Sequence, residues 1–303
     1  MVEAQKLSNP TKLFYFGNEQ IAQGIKQKSA PIFESLLNDQ NYQISALILT
    51  SKNPRRQLPI EKIAENNNIP IYYALDSSQI LNLIKEKNPY FAVLASFGKI
   101  IPKDIIDSFP KGILNVHPSL LPRYRGTSPI ESAILNGDAM FGTTIMQLSA
   151  EMDAGDIVTQ ATLNLKPNAK KQDIFDAIVA KSVDILHKIL PSYLKSENTN
   201  IAQNHDQATY TQKLQKSDGS LKPEQDSAQI LANKVRAYAG FPKSRLVLKG
   251  VPCVITEAHA ATKPESPLDP LCKDGNYLVI DQLIPENSKP MSIQAFLNGL
   301  KNK

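Results

Sequence analysis

Residues 43–95 read QISALILTSKNPRRQLPIEKIAENNNIPIYYALDSSQILNLIKEKNPYFAVLA. Three short runs, Gln43–Leu49 (QISALIL), Ile69–Tyr72 and Tyr90–Ala95 (YFAVLA), are rich in β-branched and aromatic residues and have the length of strands. Between them, Pro59–Asn66 and Ser77–Lys87 carry apolar residues at the spacing of an amphipathic helix. Parallel neighbours in a sheet need a crossover connection, and a helix is the usual one. The strand–helix–strand–helix–strand order therefore predicts an α/β fold with a parallel, doubly wound sheet.

The alternation extends in both directions. Upstream, Lys12–Phe16 (KLFYF) reads as a strand and Ile32–Asn38 as a helix. Downstream, Gly112–Val116 (GILNV), Thr143–Leu148 (TTIMQL) and Ile157–Leu163 read as further strands. Lys171–Leu194 reads as one long amphipathic helix, with Ile174, Ile178, Val179, Val183, Leu186 and Leu190 on one face. Composition then changes. Lys195–Gln207 (KSENTNIAQNHDQ) is polar, has no apolar period, and reads as a linker between domains. Beyond it, Asp226–Tyr238 reads as a helix capped by Asp226, followed by short strands at Arg245–Leu248, Val251–Ala258 and Tyr277–Ile280. The expected division is an α/β domain over residues 1–204 and a small β-rich domain over residues 205–303. No internal repeat is visible.

Composition narrows the function classes. With 303 residues and 42% of them hydrophobic, the chain can bury a sizeable core in two ordinary domains. No apolar run reaches the ~18–20 residues of a membrane span. The start, MVEAQKLSNP, lacks the apolar stretch of a signal peptide, so a cytoplasmic protein is expected. The two cysteines, Cys253 and Cys272, read as inert thiols, and the four histidines form no ligand pair, so no metal is expected. A net charge of +5 permits a nucleic-acid partner without requiring one. Gly17 and Gly24 do not make a GxGxxG fingerprint and no phosphate loop occurs, which argues against a nucleotide-driven reaction.

In open parallel sheets, ligands bind beyond the carboxyl ends of the strands. The segment of interest is Gly112–Gly126, GILNVHPSLLPRYRG. On extended chain, Asn115 and His117 project the same way, ~6–7 Å apart. Pro118 and Pro122 then force the chain out of regular structure. An amide and an imidazole are thereby presented together at a strand end. His117 reads equally as a loop histidine held by a backbone partner, while an amide inside an apolar strand has to be paired or used. The loop after the next strand, Ser149–Asp156 (SAEMDAGD), adds Glu151, Asp153 and Asp156 beside Gly155. An ordinary Asp/Gly turn fits the same pattern, and spacing does not choose among the carboxylates.

Asn115–Pro122 (NVHPSLLP), followed by Arg123–Gly126 (RYRG), resembles the signature of the folate-dependent formyltransferases, and Met152–Asp156 (MDAGD) resembles their second motif. The resemblance implies 10-formyltetrahydrofolate as formyl donor. It implies catalysis by Asn115, His117 and Asp153, the first aspartate aligning with the catalytic one. It also implies a folate loop made of Ser119, Leu120, Leu121 and Pro122. Further on, Lys216–Gly219 (KSDG), Ile230–Pro242 (ILANKVRAYAGFP) and the chain end, Pro290–Ser292 through Phe296–Gly299, look like the second domain of the tRNA-directed members of the family. This implies a Rossmann-like formyltransferase domain with a parallel-rich sheet, joined to a small OB-like β-barrel. The implied partner is methionyl-initiator tRNA, met in translation initiation by a monomer. OB-type barrels are common nucleic-acid platforms.

The chain departs from the family in three places. Asn9-Pro10 and the residues before them extend past the usual start, and Gly17-Asn18-Glu19 stands where a Gly-Thr-Pro-like turn is typical. The basic loop Thr50–Pro59 (TSKNPRRQLP) is shorter than usual but keeps Arg55 and Arg56, to which the resemblance assigns contact with the tRNA acceptor end. Competing expectations are a sugar-nucleotide N-formyltransferase, an inactive RNA-binding protein on the same scaffold, and a formyl-folate hydrolase.

Overall fold

The computed structural model describes residues 9–25, 27–164, 166 and 168–301; the polar start over residues 1–8 lies outside these. In chain order come β1 (Thr11–Phe16), α1 (Pro31–Leu37), β2 (Tyr42–Leu49), α2 (Pro59–Asn66), β3 (Ile71–Tyr73), α3 (Ser77–Lys87), β4 (Phe91–Leu94), α4 (Lys103–Asp107), β5 (Ile113–His117), α5 (Pro129–Leu135), β6 (Met140–Gln147), β7 (Ile157–Asn164) and α6 (Lys171–Leu194). The strands form one seven-stranded sheet in the order β3-β2-β1-β4-β5-β6-β7. Its first five strands pair in parallel, and β6 and β7 are antiparallel additions at one edge.

The pleat explains the two-faced core. Along β1, Leu13 and Tyr15 enter one cluster with α1, α2 and α6, while Phe14 and Phe16 enter the other with α3 and α4. All four side chains are fully buried. A strand covered on both faces carries an unbroken apolar run, as β1 does. Pro31, Pro59 and Pro129 stand in the first turn of α1, α2 and α5, where a missing N–H costs nothing. The third strand begins later than expected. Ile69 closes the end of α2 by donating to Ala64 O at 2.9 Å, so pairing with β2 starts only at Pro70, whose carbonyl accepts from Leu47 N.

Three buried titratable side chains tie the loops to the helices. Glu19, in the departure from the family turn, accepts from Ile32 N and Phe33 N at the start of α1 and from Tyr15 Oη. Lys171 and Glu131, both fully buried, face each other at 3.4 Å, and Lys171 also donates to Gln23 O at 2.7 Å. Burial pushes Lys171 below its ordinary pKa, and the Glu131 carboxylate pulls it back up.

The remainder holds α7 (Ala228–Ala237), β8 (Ser244–Leu248), β9 (Val251–Ala261), β10 (Tyr277–Pro285), β11 (Met291–Ser292) and α8 (Ile293–Lys301). Its strands make an antiparallel sheet in the order β11-β10-β9-β8, with its own core under α7 and α8. The cap of α7 is Ser227 rather than Asp226. Ser227 has the extended backbone a cap needs, and its Oγ accepts from Ile230 N, whereas Asp226 takes Lys234 Nζ at 2.6 Å. The two sheets are joined by α5 against α7, by Tyr238 reaching the larger core, and by two loops in near contact. Gly24 and Gly240 both have positive φ, and a Cβ on Gly240 would lie 2.1 Å from Gly24 O. No helix among the described residues is long and apolar enough to cross a membrane.

Candidate functional site

Strand β5 delivers Asn115 and His117 to the carboxyl end of the parallel strands. Asn115 lies beside Leu94 of β4, and His117 lies opposite Thr144 of β6. Both side chains are buried, at 6% and 4% exposure, so each has to find polar partners inside the protein. For Asn115 the partner is Asp153: Nδ2 donates to Oδ1 at 3.4 Å. His117 meets the same carboxylate, with Nδ1 3.7 Å from Oδ2. Its other nitrogen, Nε2, lies 3.0 Å from Tyr124 O. A carbonyl only accepts, so Nε2 carries hydrogen and the neutral ring turns its Nδ1 lone pair toward Asp153 and the cavity. At 3.7 Å that nitrogen is near the carboxylate without being hydrogen-bonded to it, so on protonation its N–H is available to a group in the cavity.

Asp153 sits in the loop after β6 with φ of 50°, a left-handed conformation that its surroundings have to hold. Gly126 N donates to its Oδ2 at 2.7 Å. Two residues on, Gly155 presses against the strand it follows. A Cβ there would lie 1.8 Å from Gln147 O. Asp156 points away: it is exposed, and only its carbonyl is used, accepting from Gln147 N. The structure thus brings Asn115, His117 and Asp153 together and leaves Asp156 out.

These three groups line a cavity of about 550 Å³. Leu94, Phe97, Ile101 and Leu148 give it an apolar side, while Glu151 and Lys213 stand at other points of its wall. A hollow of about 730 Å³ on the small sheet is larger, but Arg245 and Glu286 are its only charged residues and it includes none of the three. The convergent polar groups belong to the first cavity.

Ser119, Leu120, Leu121 and Pro122 follow Pro118, which lines the cavity, but are not themselves part of its lining. Ser119 Oγ donates to Arg123 O, Leu121 N donates to Thr144 Oγ1, and Thr144 Oγ1 donates to Ser119 O. Leu120 packs over Gly142, where a Cβ would meet its Cδ2 at 2.2 Å. This segment is clamped onto β6 and backs the site. The apolar lining of the cavity comes from Leu94, Phe97, Ile101 and Leu148. Arg55 and Arg56 are exposed on the loop after β2, away from the cavity, with Arg55 N donating to Asn53 Oδ1.

Sequence reasoning missed two residues. Arg125 is fully buried inside the first motif, and Gln203 is 5% exposed inside the polar stretch read as a linker. That stretch connects the two sheets, but it is not free chain. Ile201 exchanges two backbone hydrogen bonds with Ile157 at 2.8 Å, and Gln203 then bonds to the loop that carries Asp153. A buried glutamine in a polar run leaves no periodic signal.

Residues 45–191 match the model of the formyl transferase family. Over 297 residues the chain is 30% identical to the methionyl-tRNA formyltransferase of Streptococcus uberis, spanning 92% of this chain and 95% of that one. It is 32% identical to the methionyl-tRNA formyltransferase of Streptococcus pyogenes serotype M28, with the same shares covered. Among solved structures, the N-formyltransferase from Helicobacter canadensis, determined with folinic acid and dTDP-3-aminofucose, superposes with a TM-score of 0.68 at 16% identity, covering 89% of this chain and 98% of that one. At that identity the likeness is one of fold.

Proposed function

The chain belongs to the methionyl-tRNA formyltransferase family, and we propose from that premise that it transfers the formyl group of 10-formyltetrahydrofolate to the amino group of methionyl-initiator tRNA. The observation that carries the reading is the convergence of Asn115, His117 and Asp153 at one cavity, with the carboxylate oriented by Gly126 N. The cavity fits a folate: Leu94, Phe97, Ile101 and Leu148 form an apolar wall for a flat ring, and the polar groups lie beside it. When bound, the folate supplies an electrophilic formyl carbon.

The residues divide the remaining work. The second hydrogen of Asn115 Nδ2 and the Nδ1–H of a protonated His117 donate to the negative charge that develops on the formyl oxygen. Such donors are each worth ~10²–10³ in rate because they are fixed before the charge appears. Asp153 stabilises the imidazolium and takes up the proton that the attacking amine loses, directly or through water; as the bond between the formyl carbon and the folate nitrogen breaks, that proton passes to the departing nitrogen, which leaves as tetrahydrofolate. The reaction needs no covalent enzyme adduct. Cys253 and Cys272 lie in the core of the small sheet, where burial pushes both thiols up and away from the reactive thiolate.

In the same reading, residues 1–204 form the catalytic domain and residues 205–303 bind tRNA, with Arg55 and Arg56 adding contacts at the acceptor end. The protein works as a monomer in the cytoplasm. The test is to incubate purified protein with 10-formyltetrahydrofolate and either charged initiator tRNA or an amino-sugar nucleotide. Formylated methionyl-tRNA is expected. Product on the sugar alone would transfer the chemistry to the competing substrate class.

A further inference from the structure

Arg125 has the largest of the fully buried side chains, and the catalytic steps above do not use it. A guanidinium stays charged at any working pH, so its burial demands partners. Its carboxylate neighbour, Glu151, is distant at 3.8 Å and exposed. The close partner is neutral. Arg125 Nη2 and Nε donate to Gln203 Oε1 at 2.8 and 3.2 Å, while Nη1 reaches Tyr210 Oη at 3.3 Å and His205 Nδ1 at 3.4 Å. With its oxygen taken by the guanidinium, the amide turns Nε2 the other way. Nε2 donates to Asp153 O at 2.9 Å and to Gly155 O at 2.7 Å. The charge of Arg125 polarises this amide and strengthens both bonds.

We propose that Arg125 and Gln203 are positioning residues for formyl transfer, holding Asp153 through its backbone; the inference rests on the catalytic reading of Asp153 given above. The bonded carbonyls flank Ala154, at the turn where Asp153 takes its left-handed φ. The neighbours of Arg125 grip the same site: Tyr124 O accepts from His117 and Gly126 N donates to Asp153. Arg125 also exchanges backbone bonds with Thr209 and Thr211, so the chain that crosses from the large sheet to the small one is tied to the catalytic loop. Three consecutive residues thereby set the imidazole, the carboxylate and the crossing segment.

Two full-length variants test this. Gln203→Met keeps the length of the side chain and removes its polar atoms. Gln203→Glu keeps an acceptor for Arg125 and removes both donors to the loop, so the buried guanidinium stays paired. Expected in both is a fall in kcat of ~10–100-fold, the effect of displacing a reacting group by about 1 Å, with KM for folate and for tRNA within ~3-fold of the parent and a cooperative melt. An unchanged kcat, or a rise in KM alone, overturns the proposal. Loss of cooperative melting in both variants overturns it too, by making Gln203 a folding residue. The parent protein is assayed in parallel on charged tRNA and on an amino-sugar nucleotide. Failure on tRNA overturns the substrate reading alone, since the kcat comparison is then made on the sugar acceptor.

Discussion

The backbone N–H of Gly126 donates to Oδ2 of Asp153 at 2.7 Å, although the two residues lie 27 positions apart. The bond fixes which way the carboxylate faces. Oδ1 is left to Asn115 Nδ2, and Oδ2 is shared with the imidazole of His117. A carboxylate held by a backbone donor keeps its orientation when the imidazole changes charge, which is what the proton-accepting role proposed for Asp153 requires.

Replacing Asn115, His117 or Asp153 by Ala is expected to lower turnover by at least ~10²-fold each, the loss typical of an oxyanion donor or a general base. Asp156→Ala is expected to leave turnover near the parent value, because its side chain is exposed and outside the cavity. Steady-state rates on charged tRNA check this. A larger loss at Asp156 than at Asp153 would reassign the aspartate.

The order of the large sheet was legible because each central strand is apolar on both faces and each helix on one. β1 and α3 are read from their own residues alone. The convergence of Asn115, His117 and Asp153 was legible because the motifs keep them close to strand ends. What sequence could not supply are contacts between distant segments. Gln203 reaches Asp153 across 50 positions with a single side chain, and nothing in KSENTNIAQNHDQ distinguishes it from solvated chain. Leu120 gives a related case. An apolar pair beside two prolines suits a ligand wall or a packing contact equally, and its contact with Gly142 is set by a glycine 22 positions away that nothing in the local sequence announces.

Gly155 carries a second prediction. A methyl group there would lie 1.8 Å from Gln147 O, which belongs to β6 and has no room to retreat. Gly155→Ala is therefore expected to lift the loop away from the strand, destabilise the protein by about 1–3 kcal/mol, and cost turnover by displacing Asp153. Thermal melts and kcat measured on the same preparation check it. Parent-like values for both would show that this loop relaxes freely.

Glu19 gives stability a pH dependence. Its side chain accepts from Tyr15 Oη, Ile32 N and Phe33 N, which favour the ionised form, yet burial outweighs them and raises the carboxyl from its ordinary 4.5 to about 7. Between those values the folded protein holds the proton more tightly than the unfolded chain does. The stabilisation from protonated Glu19 is then fully present below about pH 4.5 and lost as pH rises through about 7, a change of roughly 3 kcal/mol across the window. Glu19→Gln does not titrate, so the stability of the parent relative to this variant is expected to fall between pH 4.5 and 7 in urea denaturation. A relative stability that rises with pH would show that the three donors prevail over burial.

Arg55 and Arg56 lie in a loop whose residues 51–57 are all exposed, and neither is needed to shape the catalytic cavity. An exposed guanidinium pair serves equally well as solvated surface or as a phosphate contact, and ionic strength separates the two. Each phosphate neutralised by a bound cation releases counterions, with a slope of roughly 0.7–0.9 in log affinity against log salt. If both arginines meet the tRNA acceptor end, Arg55→Ala combined with Arg56→Ala weakens tRNA binding and flattens the slope by up to about 1.5 units. Folate affinity stays constant, because Asn115, His117, Asp153 and the apolar wall sit on other segments. Filter binding of charged tRNA over a salt series measures both quantities at once. A slope equal to that of the parent would assign the pair to plain surface and leave tRNA recognition to the small sheet and the chain that joins it to Arg125.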